Sequence, residues 1–312
     1  MAGLGGGSHL TRTTSAEFIP ALWSDEVVAT YKKNLVMANL ITKINHVGKK
    51  GDTIHIPKPG RGSATAKSAN TVVTLVVDTA TDIAVSINKH YEYSFVIEDI
   101  AELQALSSMR QFYTDNAGYA LATQVDTDLI QLARYANNGA GTNVYATAVI
   151  GGDGSTAYVA ASNNETPLTD SGLRKVMQSM DDNDTDQNGR FLVVPPSAKN
   201  TLLGIARYTE QAFVGDGSAI RNGQIGNIYG VPVYVSTNCD TASGSSGARV
   251  AIMGHKDCMV LAEAMNVRTQ TQYKQEYLGD LFTADTIYGV QRIRSGESGY
   301  GLTSMYAIAI PA

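Results

Sequence analysis

The residues whose types and spacing come nearest to chemistry are Asp184-Thr185-Asp186-Gln187-Asn188-Gly189, with oxygen ligands at alternate positions and a glycine for the turn, as in the first half of a calcium-binding loop. The twelfth position is Pro195, so the bidentate carboxylate that closes such a site is missing. Phe191-Leu192-Val193-Val194 already reads as a buried strand, and the stretch is expected to be an acidic helix-to-strand turn. The five histidines, His9, His46, His55, His90 and His255, form no ligand pair at helical or turn spacing. No Gly-x-Ser-x-Gly elbow is present, and Cys239 and Cys258 read as sparse thiols outside any catalytic context. Gly48-Lys49 lacks the earlier glycine of a phosphate-binding loop, since Lys43 stands in its place, and Gly152-Asp153-Gly154 ends at Ala157 within a loop. A composite set such as His90, Glu92 and Asp99 would serve an enzyme only with a concave pocket around it. Tyr91, Tyr93 and Phe95 could stack bases, but their strict alternation with Glu92, Ser94 and Val96 marks a core face. The expectation is a chain without cofactor, metal or catalytic residues.

The elements that would position these groups are more informative. Gly51 to Ile97 writes a long β-arm, anchored at its base and unsupported at its tip. In Thr71-Val72-Val73-Thr74-Leu75-Val76-Val77 both faces of a period-two strand are apolar or β-branched, although Pro57 to Ser63 before it is polar and flexible. Ile83, Val85 and Ile87, then Tyr91, Tyr93, Phe95 and Ile97, alternate with polar or small residues as one-sided strands. Such an arm wants a surface to lie on, with Val73, Leu75 and Val77 as candidate apolar contacts and Lys58, Arg61 and Lys67 as basic ones.

Glycine-rich residues 3–7 and a short helix capped by Ser24 are expected before the arm. From Ser107 to Ala136 apolar positions recur at three- and four-residue steps without a proline, which predicts about 45 Å of helix. After a Gly, Ser and Asn-rich loop from Gly151 to Asn164, the pattern becomes α/β. Thr169 caps a helix with Leu173, Val176, Met177 and Met180 on one face, a strand follows at 191–194, and Ser197 opens a helix through Leu202, Leu203, Ile205 and Ala206. A turn and strand at 226–236, a strand at 248–253, a helix from His255 to Ala264, and strands at 267–273, 286–294 and 305–310 complete the reading.

The chain has 312 residues, 43% of them hydrophobic and 17% charged, which suits a globular protein. No run of eighteen apolar residues exists to span a bilayer, and the start lacks the apolar core of a signal peptide, so a cytoplasmic origin is expected. The net charge of -5 argues against a surface built to grip nucleic acid. Its distribution is uneven: residues 1–70 carry nine basic and four acidic residues, leaving 15 basic and 25 acidic beyond. A basic arm and an acidic body could steer one copy onto another.

In this order of parts the chain resembles the major capsid proteins of tailed bacteriophages, with the Hong Kong 97-type fold. The words that carry the resemblance are Gly51-Asp52-Thr53-Ile54-His55-Ile56-Pro57, Phe191-Leu192-Val193-Val194-Pro195-Pro196, the run from Asn222 to Ser236, and His255-Lys256-Asp257 before Leu261-Ala262. The resemblance implies an α+β fold with an N-terminal arm (1–45), an extended loop (46–90), a peripheral domain with a spine helix (91–165), an apical α/β domain (166–264) and return strands of the peripheral domain (265–312). It implies a non-enzymatic shell subunit, assembled in the host cytoplasm into hexamers and pentamers around double-stranded DNA that it touches weakly and without sequence preference. Scaffolding, portal and decoration proteins are the partners such a subunit would meet, and no membrane is involved. Some relatives crosslink their shells through a lysine of the extended loop; Lys58 and Lys67 lie there, but no residue pattern identifies a partner, and no crosslink is assigned. The competing reading within the fold is an encapsulin-type compartment holding an enzyme cargo.

Overall fold

The computed structural model describes residues 35–47, 51–58, 64–73, 75, 81–104, 109–134, 149–156, 165–205, 226–239, 248–293 and 304–311. The expected capped helix before Val36 lies almost wholly outside them. In chain order the elements are α1 (Met37–Leu40), β1 (Thr42–Asn45), β2 (Thr53–Lys58), β3 (Thr81–Ser86), β4 (Lys89–Glu98), α2 (Asp99–Gln104), α3 (Met109–Arg134), β5 (Val149–Gly151), α4 (Asp170–Asp182), β6 (Arg190–Val194), α5 (Pro196–Leu203), β7 (Asn227–Ile228), β8 (Val231–Val235), β9 (Arg249–His255), β10 (Met259–Lys274), β11 (Gly279–Arg292) and β12 (Met305–Ile310).

Two larger sheets and a ribbon organise these strands. β10 and β11 form a hairpin in register from Met259 opposite Arg292 to Lys274 opposite Gly279, with irregularities between Glu263 and Arg268 that bend it. β1 adds in parallel to β10 and β4 antiparallel to β11, giving the order β1-β10-β11-β4. The second sheet runs β5-β12-β9-β6-β8-β7. Its central strands are buried on both faces, so one face of β6 sends Phe191 and Val193 into one core and the other sends Leu192 and Val194 into a second. Leu173, Val176 and Met180 of α4 and Ala198 and Leu202 of α5 cover that second face. Thr169 caps α4 as its spacing predicts, accepting from the Gly172 N–H at 3.1 Å.

The 26-residue helix α3 spans about 39 Å and bridges the two sheets. Its first half sets Ala117 and Leu121 on the aromatic face of β4 and β11, and its second half sets Leu129, Ile130 and Ala133 on the six-stranded sheet. Two different sheets claim one helix, which explains its unusual length.

Three expectations are corrected. Residues His255 to Ala264 are not a helix: β9 runs to His255, a turn closes with the Cys258 N–H donating to the His255 carbonyl at 2.9 Å, and β10 begins at Met259. Cys258, Met259, Val260, Leu261 and Ala262 are all buried, and a strand covered on both faces loses the two-residue alternation that would identify it. Residues 265–312 do not form one set of return strands: β10 runs unbroken through position 264, while β12 pairs with β9 and β5 in the other sheet. The loop expected at 151–164 is preceded by β5, which supplies that sheet's far edge.

Candidate assembly surface

β2 and β3 form an isolated antiparallel ribbon, in register from Thr53 opposite Ser86 to Lys58 opposite Thr81. Its root is fixed. Val85 is fully buried against Val260 and Ala262, with Ile44, Ile54, Ile56 and Ile87 packed around them, and the Ile87 N–H donates to the Asp52 carbonyl at 2.7 Å. A Cβ on Gly289 would stand 2.3 Å from the Ser86 carbonyl oxygen, so only glycine lets the ribbon cross β11 this closely. His55 and Asp82 pair across the exposed side of the ribbon.

Beyond the ribbon the described residues change character. Val72 is 90% exposed, Val73 64% and Leu75 87%, and Lys67 beside them is exposed too. Thr71, Val72, Val73 and Leu75 are not in a strand, contrary to the expectation; among the described residues no strand lies beside them to supply ladder hydrogen bonds. Lys58 closes β2 at the ribbon's outer end. Arg61 and Val77 lie outside the described residues.

A second apolar group, missed in the sequence, gathers where β4, α2 and the tip of the β10–β11 hairpin meet. Val96, Ile100, Leu103, Tyr273, Tyr277 and Leu278 are all exposed there, and the Asp99 N–H donates to the Leu278 carbonyl at 3.0 Å. Val96 lies on the outward side of the alternation in β4; the others share only their place around the end of the β10–β11 hairpin and the α2 that follows β4.

The framework behind the ribbon rests on acids that the sequence reading also passed over. Asp126 of α3 is 1% exposed. It accepts from the Met37 N–H and from Asn238 Nδ2, each at 2.9 Å, and so ties α1 and the chain after β8 to one helix. Asp128, one half-turn on, accepts from Tyr288 Oη at 2.7 Å and from Gln124 Nε2 at 3.1 Å, and pairs with Lys89 Nζ at 3.0 Å. The available signal was the Asp-Thr-Asp spacing within an otherwise apolar helical face.

The chemical candidates are dispersed. In the acidic turn, the buried Arg190 takes the central place: its guanidinium donates to the carbonyls of Asp186 at 2.9 Å and Thr185 at 2.6 Å and to Asp181 Oδ1 at 2.5 Å. The Asn188 N–H donating to Asp186 holds that carboxyl below the usual carboxylate range. The charge of Arg190 is thus paired with Asp181, outside the 184–189 turn, while its other donors hold the backbone of that turn. His90 meets Asp285 at 3.3 Å, Glu92 accepts from Ser94, and Asp99 accepts from Tyr273 at 2.9 Å, so the composite set separates into three unrelated contacts. A cleft of about 430 Å³ between α1, α3 and the four-stranded sheet is lined by Leu121, Val125, Leu261 and Tyr288, and none of the three residues reaches it. Phe95 stacks on Phe282 at 4.9 Å and tilts against Tyr113 at 5.2 Å, which makes the aromatic row a core face beneath α3. Cys239 and Cys258 are buried and not joined in a disulfide, and burial pushes the Cys258 thiol up to about 12. Among the described residues no helix is long and apolar enough to cross a membrane.

Comparison with known proteins agrees with this geometry. A family model described as "Phage capsid protein" matches residues 82–296, more than half of the chain. No curated protein sequence matches. Among solved structures, a chain from Mycobacterium phage Che8 is similar over 93% of this chain and 97% of its own, with a TM-score of 0.71 and 21% identity. A chain of the Cyanophage Pam1 capsid asymmetric unit is similar over 98% and 99%, with a TM-score of 0.72 and 14% identity. The capsid of Ralstonia phage GP4 is similar over 94% and 95%, with a TM-score of 0.66 and 15% identity. At such identities the fold is what is shared, and it is shared end to end. On this match the chain belongs to the phage capsid protein family, as the major capsid protein of a bacteriophage shell.

Proposed function

We propose that the extended loop, residues 46–90, lies over an adjacent copy in an icosahedral head of hexamers and pentamers, the Hong Kong 97-type arrangement. In this reading α3 is the spine, the four-stranded sheet with α3 is the peripheral domain, and the six-stranded sheet with α4 and α5 is the apical domain turned to the capsomer centre. Residues 1–45 form the N-terminal arm. The head encloses the double-stranded DNA of a tailed phage, touched weakly, as a net charge of -5 suits. Scaffolding, portal and decoration proteins are its partners, assembly takes place in the host cytoplasm, and the subunit performs no catalysis. An encapsulin-type compartment is not favoured, because the matching family and the structures above are phage capsids.

The observation that carries the proposal is the exposure of Val72, Val73 and Leu75 beyond a well-anchored ribbon. Covering a fully exposed valine or leucine is worth roughly 1.5–3 kcal/mol, repeated in every copy. Replacing Val73 and Leu75 together by Ser is expected to leave a soluble, folded subunit and to cut the yield of closed particles in negative-stain micrographs several-fold. Unchanged particle yield would contradict the proposal, and a defined enzyme co-purifying inside the particles would favour the compartment instead.

A further inference from the structure

Among the described residues Asn188, in the turn between α4 and β6, is the only asparagine followed by glycine. Glycine has no Cβ to shield its backbone nitrogen, so an asparagine side chain before it can reach that nitrogen with little hindrance. Asn188 and Gly189 are both exposed, and among the described residues no hydrogen bond holds the Asn188 side-chain amide or the Gly189 N–H. Other asparagines are tied: Asn183 Nδ2 donates to the Ser179 carbonyl at 2.7 Å and to Tyr306 Oη at 2.9 Å, and Asn238 Nδ2 donates to Asp126 and Thr127. The turn keeps its glycine for a structural reason, since Gly189 has a φ of +85° and a Cβ there would stand 3.1 Å from Lys256 Cδ. His255 adds a chemical one. Its Nδ1 accepts from the Asp257 N–H at 3.2 Å, which leaves the ring proton on Nε2, and Nε2 donates to the Asn188 carbonyl oxygen at 2.8 Å. That carbonyl is conjugated with the Gly189 nitrogen, so a donor on its oxygen favours the anion formed when the nitrogen loses its proton.

We propose that Asn188 is a self-modification site, at which the folded chain converts asparagine to aspartate and isoaspartate as it ages. The Gly189 nitrogen, its proton given up to water, attacks Asn188 Cγ; the N–Cγ bond forms, the Cγ–Nδ2 bond breaks, and the side-chain nitrogen takes up a proton and leaves as ammonia. Water then opens the resulting imide ring. Cleavage of the new N–Cγ bond gives aspartate, and cleavage of the original peptide bond gives isoaspartate. The balance is one water taken up and one ammonia released, with no oxidation or reduction. Either product places a carboxylate beside Asp184 and Asp186. The isoaspartate route also carries the main chain through Cβ, which withdraws the carbonyl that accepts from His255 and shifts the Gly189 carbonyl that accepts from the Lys256 N–H at 3.0 Å. The modification thus loosens the hold of this turn on the one that joins β9 to β10.

The test ages the intact, unsubstituted protein in mildly alkaline buffer and maps its peptides by mass spectrometry over time, with isoaspartate read by labelling with an isoaspartyl methyltransferase. Product at position 188 should accumulate several-fold faster than at Asn183 or Asn238, as both aspartate and isoaspartate, and faster as pH rises, since the attacking nitrogen must lose its proton. Asn188→Gln, whose longer side chain closes a larger ring more slowly, should stop the change at this position and leave the other peptides as they are. A synthetic peptide of residues 184–192 supplies the rate without the fold. Folded protein that stays unmodified at 188 while the peptide converts would overturn the proposal, as would conversion no faster than at Asn183 and Asn238. Aspartate formed without isoaspartate would exclude the imide and overturn it as well.

Discussion

Asp126 shows how one buried carboxylate can hold a subunit's pieces in place. Among the described residues no cation pairs with it; its oxygens are taken by the Met37 backbone N–H and the Asn238 amide, both across long stretches of sequence. Asp126→Ala would leave the buried Met37 N–H without its acceptor, while the part-buried Asn238 amide keeps Thr127 Oγ1 at 3.2 Å, so a loss of roughly 1–3 kcal/mol is expected in chemical denaturation. A loss under half a kcal/mol would show the contacts to be incidental. Asp285 works differently. Arg268 donates to both its oxygens, at 3.1 and 2.8 Å, and this bond, with His90 as a lesser partner, holds the carboxyl below its ordinary value of 3.8. A carboxyl lowered by folding stabilises the folded state above its unfolded value, and that contribution disappears as pH falls through the folded value. Asp285→Asn should therefore be less stable than the wild type at pH 7, with the gap closing below the ordinary value. A gap independent of pH would contradict the pairing.

At the scale of elements, Gly289 is a position where two of them touch closely. Gly289→Ala forces a Cβ toward the Ser86 carbonyl at 2.3 Å, so either the ribbon root or β11 must move. Overpacking of this kind costs about 1–3 kcal/mol, and thermal unfolding should register it together with a displaced loop and fewer particles. An alanine variant with unchanged melting and assembly would show the crossing to be loose. The elements that sequence patterning revealed best are those with one wet face: β4 with its alternating aromatics, α4 with Thr169 as its cap, and α3 with its three- and four-residue steps. The errors fell where that contrast is missing. Residues 258–262 are buried throughout, so their spacing fits helix and strand equally, and only the β9–β10 turn decides between them. Membership of β12 in the six-stranded sheet depends on a pairing with β9 some fifty positions earlier, which local periodicity does not encode. The hairpin-tip patch of Tyr273, Tyr277 and Leu278 escaped notice because exposure depends on what lies opposite, and here little of the chain does.

For the whole molecule, the asymmetry between a packed body and a bare loop is the central fact. The six-stranded sheet is sandwiched between α3 and the pair α4 and α5, the four-stranded sheet is braced by α3, and the ribbon root is tucked against β10. The described core packs within the single copy, whereas Val72, Val73 and Leu75 are exposed and, in the proposed reading, gain a partner through association. Of the six contact residues expected from sequence, Lys58 closes β2, Lys67, Val73 and Leu75 are exposed beyond the ribbon, and Arg61 and Val77 lie outside the described residues. Hydroxyl-radical footprinting of Val72, Val73 and Leu75, compared between isolated subunits and closed shells, tests the claim most directly. Oxidation at these side chains should be high in the subunit and fall several-fold on assembly; equal oxidation in both states, or protection already complete in the lone subunit, would contradict it.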